Sequence, residues 1–98
     1  MSLRESYNFE FLINEAEHLV LEQLEEELGA EKAKDICKCQ DCVLDMAALA
    51  LNSISPMYRV SLMGTLYAHN LKDTDYEREV RKKVVEAIEK IAKNPSHD

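Results

Sequence analysis

The chain has 98 residues, is 46% hydrophobic and 32% charged, and contains only two glycines and two prolines. That describes one small globular domain with a modest core and excludes global disorder. A formal charge of −7 argues against general binding to DNA or RNA, since an acidic surface repels a polyanion at long range.

Residues 1–7 read as a loose start. The first helix is expected from Asn8 to Leu28, because Phe9, Ile13, Ala16, Val20, Leu24 and Leu28 recur at helical spacing. Gly29 stops it, since glycine takes up the left-handed cap cheaply. Glu10, Glu15, Glu17, Glu22, Glu25, Glu26 and Glu27 mark the polar side. Leu12, Leu19 and Leu21 widen the apolar face beyond one stripe, which calls for two neighbours, one of them a second copy of the chain or a loop. Ala30 to Asp35 is a charged connector with room for one helical turn.

A second helix is expected from about Gln40 to Ser53. Val43, Leu44, Met46, Ala47, Ala48, Leu49, Ala50 and Leu51 surround it almost completely, which places it in the middle of the fold. Pro56 lies beyond its end, and Ser55 is pushed towards extended geometry. Tyr58 to Leu62 alternates apolar and polar residues like a short strand, and Gly64 allows a turn, so two extended pieces around Gly64 can pair as a hairpin. The last helix opens on a capping box, Thr74 with Glu77, and carries an inner stripe of Tyr76, Val80, Val84, Ala87, Ile88 and Ile91. Glu79 with Lys83 and Glu86 with Lys90 are favourable pairs on its surface. Asn94 and Pro95 end it, and the residues from 94 to 98 read as a loose tail. The whole chain, 1–98, is one mostly helical, all-α domain with three main helices and a short extended or hairpin segment near residues 56–68.

The chemistry concentrates in the stretch CKCQDC. Cys37, Cys39 and Cys42 fall within six positions. Without a secretory signal or a run long and apolar enough to span a membrane, a cytoplasmic setting is expected, where clustered thiols read as a metal site before a disulfide framework. Cys39 and Cys42 can face one point across the first helical turn, and Cys37 can fold back from the connector. The positive helix end, with Lys34 and Lys38, favours thiolates there. Zinc is the expected ion. The fourth ligand stays open between Asp45, Asp41, His18, His69, a water and a residue of another subunit. An open fourth position resembles a catalytic zinc site, yet no motif places a general base beside the cysteines. The competing readings are three buried thiols packed as small hydrophobes and a Cys39–Cys42 redox pair, the latter without the alternating strands and helices such a motif normally sits in.

Asn52, Tyr58 and Arg59 cluster around Pro56. An arginine and an aromatic can hold a phosphate and stack a base, though such residues are more often a hydrogen-bonded loop and a solvated strand face. Arg78, Arg81, Lys82 and Lys83 make one side of the last helix basic, most simply a solvated face. His18, His69 and His97 stand apart in sequence. No Ser/His/Asp spacing, phosphate loop or paired-carboxylate pattern is present, so no enzymatic activity is expected.

Asn14-Glu15 followed by Val20, then CKCQDCVLDMAALALN, SPMYRV, Gly64 and Tyr67, together resemble the ComFB family of late competence proteins, over roughly residues 8–91. In length and shape the chain is close to the family's Bacillus member. The resemblance implies a small, mostly helical cytosolic homodimer without enzymatic activity, with zinc on the three cysteines and a link to competence, the programme of DNA uptake. The cysteine cluster and the surplus apolar helix surface motivate the first reading, a dimeric adaptor or regulator that meets another competence or signalling protein. Cyanobacterial members suggest the alternative, a receptor for cyclic di-GMP or cyclic di-AMP. One departure bears on that alternative. Many relatives read Arg-Leu-Pro-Pro-Arg-Tyr after the asparagine, whereas this chain has Ser53-Ile54-Ser55-Pro56-Met57-Tyr58, with Arg59 displaced beyond the tyrosine.

Overall fold

A computed structural model describes residues 1–60 and 74–95. A single exposed turn, α1 (Leu3–Ser6), is closed by a capping box between Ser2 and Glu5. A two-residue strand, β1 (Ile13–Asn14), leads into α2 (Glu15–Leu28). A 3-10 turn, Glu31–Ala33, forms the connector, followed by α3 (Gln40–Asn52), the strand β2 (Tyr58–Arg59) and α4 (Asp75–Lys93).

The first long helix begins at Glu15, well after the Asn8 expected from the apolar spacing. The choice between Asn8 and Asn14 is settled at long range, since Asn14 accepts the Met57 N–H. Asn8 accepts the Glu10 N–H at 2.8 Å in the same way as a cap, but the chain turns there and no helix follows it. Asn14 is the true cap and accepts the Ala16 N–H at 3.1 Å. Phe9 and Ile13, in helical register by sequence, therefore lie outside the helix and exposed. At the other end Gly29 is right-handed, with φ −83°. Its value lies in close approach, because a Cβ there would sit 3.2 Å from the Glu25 carbonyl oxygen.

Both later helices keep their expected bounds closely. Cys39 caps α3, and Thr74 caps α4 by accepting the Glu77 N–H at 3.3 Å. On α4, Lys83 lies 3.9 Å from Glu79 and 3.6 Å from Glu86, so one lysine serves the two glutamates.

Three helices enclose the core. Val20 and Leu24 from α2, Cys42, Met46 and Ala50 from α3, and Val80, Val84, Ala87 and Ile88 from α4 pack together, with Met46 fully buried. Burying a side chain of that size contributes about 1.5–3 kcal/mol. Helix α3 is not enclosed all round: Leu44 is 56% exposed. The amphipathic α4 packs against both α2 and α3.

The strand at Tyr58 has a different partner from the one its sequence suggests. It pairs antiparallel with β1, Ile13 opposite Arg59 and Asn14 opposite Tyr58. The hairpin expected around Gly64 lies outside the described residues. Among the described residues, no helix is long and apolar enough to cross a membrane.

Candidate metal centre

The site is built where the connector meets α3. The 3-10 turn buries Ala33, and Ile36 packs against the core just before the cysteines. Lys38 holds this bend by donating from Nζ to the carbonyl oxygens of Ala33 at 2.6 Å and Ile36 at 3.1 Å. The chain then enters α3 through Cys39, whose sulfur accepts the Cys42 N–H at 3.4 Å and so stands in for the usual oxygen cap.

All three cysteines are reduced thiols, and their sulfurs lie within 4.8 Å of one another. Cys37 and Cys39 are half-buried, and Cys42 is 1% exposed. A tetrahedral ion bonded to sulfur at about 2.3 Å holds its ligands about 3.8 Å apart. Sulfurs gathered this closely are compatible with that spacing, so the donor set fits a soft divalent metal. The electrostatics point the same way. Burial pushes the Cys42 thiol up to about 11, and hydrogen bonding and charge from Cys39 and Cys37 add to the shift. Crowded thiolates repel one another, and a cation among them removes that conflict.

No fourth protein ligand joins the three sulfurs among the described residues. Asp41 and Asp45 stand outside the converging set. His18 lies on the outer side of α2, 3.2 Å from Glu22 and largely exposed. His69 lies outside the described residues. Lys34 is turned to Glu31 at 3.4 Å on the surface.

The other sequence candidates are placed separately. Asn52 is exposed at the end of α3, and Tyr58 is 64% exposed on β2. The Arg59 side chain, 21% exposed, is hydrogen-bonded through Nε to the Glu15 carboxylate. Glu15 was readable only as one glutamate among many on a polar helix face, yet it is buried. Its neighbour Asn14 completes a clasp: Asn14 Oδ1 accepts the Met57 N–H at 2.8 Å, and the Glu15 N–H donates to the Met57 carbonyl at 2.7 Å. The adjacent pair Asn14-Glu15 in the sequence was the available signal for it. Beside this clasp, Leu12, Ile13, Leu21 and Tyr58 line a cleft of about 480 Å³ together with Glu17 and His18.

A family model described as late competence development protein ComFB matches residues 13–95. The chain belongs to the ComFB family. The solved structure of the late competence protein ComFB from Bacillus subtilis is similar to it with a TM-score of 0.70 and 27% sequence identity. That likeness covers 87% of this chain and 94% of the Bacillus chain. At this identity the present chain is a diverged member of the ComFB family. No curated protein matches it. ComFB proteins are regulatory and non-catalytic, so membership assigns no enzymatic activity to the chain.

Proposed function

We propose that this chain is a zinc-stapled, dimeric adaptor of late competence. The convergence of Cys37, Cys39 and Cys42 at the entry to a core helix carries the reading. When bound, zinc supplies the charge that lets the three sulfurs coexist as thiolates near neutral pH. Cys37 then ties the connector to α3, while Cys39 and Cys42 hold the first turn. Exposed Leu12, Ile13, Leu21 and Tyr58 support the second half, because a second copy covering them would remove these four side chains from water. Membership of a late competence family supports the adaptor role, in which the chain meets another protein of the competence or signalling apparatus. Metal analysis of protein purified without a histidine tag tests the staple, and less than one zinc per two chains rejects it. Sedimentation at micromolar concentration tests the dimer: Leu21→Glu should shift the chain to monomer, and a wild-type monomer rejects the pairing.

A cyclic dinucleotide receptor is the second reading. Exposed Tyr58 beside the cleft favours it, as a ring on which a base can stack. It requires Arg59 to share its guanidinium between Glu15 and a phosphate. Calorimetry with cyclic di-GMP and cyclic di-AMP separates the readings: absence of heat at tens of micromolar ligand rejects the receptor and leaves the staple untouched.

A further inference from the structure

We propose that the cysteine cluster is also an oxidation site, at which a peroxide converts Cys39 and Cys42 to a disulfide and expels the metal. This rests on the zinc reading above and adds its regulation.

The two reacting residues occupy the cap and the first turn of one helix. That is a Cys-x-x-Cys pair at a helix start, which sets the two sulfurs side by side. Their sulfurs already lie within 4.8 Å, and the Cys39 sulfur rests on the Cys42 N–H. Cys39 is half-buried and within reach of a small solute, whereas Cys42 is closed off by the core. Accessibility therefore orders the steps.

The Cys39 thiolate attacks one oxygen of hydrogen peroxide. The O–O bond breaks, leaving a sulfenic acid on Cys39 and a hydroxide that takes a proton from solvent. The Cys42 sulfur then attacks the Cys39 sulfur. The S–O bond breaks, and the second hydroxide leaves as water with another solvent proton. Two thiolates lose two electrons, and one peroxide becomes two waters. The metal, stripped of two of its three sulfurs, dissociates, and Cys37 remains a thiol. A dithiol returns both electrons and restores the site. Because the new disulfide lies wholly within the start of α3, it does not replace the tie between connector and helix.

The test uses untagged, zinc-loaded protein treated with a few equivalents of hydrogen peroxide beside a chromogenic chelator. Thiols are mapped in parallel by alkylation and peptide mass. The expected result is one zinc released for each Cys39–Cys42 disulfide, reversed by dithiothreitol and fresh zinc. Retained zinc with all three thiols alkylatable overturns the proposal, as does release with a sulfinic acid and no disulfide. Cys37→Ala keeps the reacting pair and should still close the disulfide; failure to do so also overturns it. A starting sample without zinc marks failure of the staple itself, whereas a loaded sample inert to peroxide marks failure of the oxidation site alone.

Discussion

The starts of α2 and α3 are each fastened to a non-helical segment, and the fastenings have opposite chemistry. At α2, Asn14 and Glu15 hold Met57 and Arg59 through directional bonds between oxygen and nitrogen, each donor matched to an acceptor. No buried side-chain nitrogen or oxygen among the described residues lacks a partner. At α3 the same capping geometry is made with sulfur, and the remaining sulfurs face one another. The first clasp is complete within the chain. The second gathers donors that repel once ionised, and it becomes a strong fastening only around a cation. Chemistry at a helix start thus reveals whether the fold needs something from outside.

Four experiments break or sharpen that contrast. Stripping zinc from loaded protein should have the largest effect. For free metal at about a thousandfold over its dissociation constant, the loss is about 4 kcal/mol, or a fall of roughly 15 °C or more in a domain of this size. A fall of only a degree or two in a calorimetric scan would make the sulfur clasp as self-sufficient as the polar one. Glu15→Ala comes next. It strands the Arg59 guanidinium in a half-buried position and should cost about 2–3 kcal/mol in urea unfolding, with zinc content unchanged. Asn14→Ala removes a cap and the acceptor of the Met57 N–H, for about 1–2 kcal/mol by the same measurement. Lost zinc in either variant would show the two clasps to be coupled.

The last experiment follows pH. The Cys42 thiol titrates higher in the folded chain, from an ordinary value of 9.0 up to about 11. The metal-free protein therefore keeps this contribution below about pH 9 and loses it as pH rises through about 11, because the unfolded chain gives up the proton first. Zinc-loaded protein, with its thiols already deprotonated, should lack that trend in unfolding curves measured across the window.

What could be read from the sequence follows the range of the interactions. Helix α3, helix α4 and the cysteine cluster rest on periodicity, caps and spacing within a few residues, and all three are present where the sequence places them. The start of α2 does not. Asn8 and Asn14 are equally good caps by composition, and the choice between them is decided by Met57, which lies 43 residues from Asn14. Strands of two residues carry no detectable alternation, so β1 was hidden inside an apparent helix. Glu15 disappeared for a related reason: a buried carboxylate looks like its solvated neighbours until its arginine is located.

That 43-residue separation also orders the assembly of the chain. Joining Asn14 to Met57 closes a loop containing two helices, and the entropy lost in closing it is recovered only once those helices have docked. During synthesis α2 leaves the ribosome long before the anchor for its first turn exists. Its N-terminal end therefore lacks this anchor until Arg59 has emerged, and the full three-helix core waits longer still, for α4.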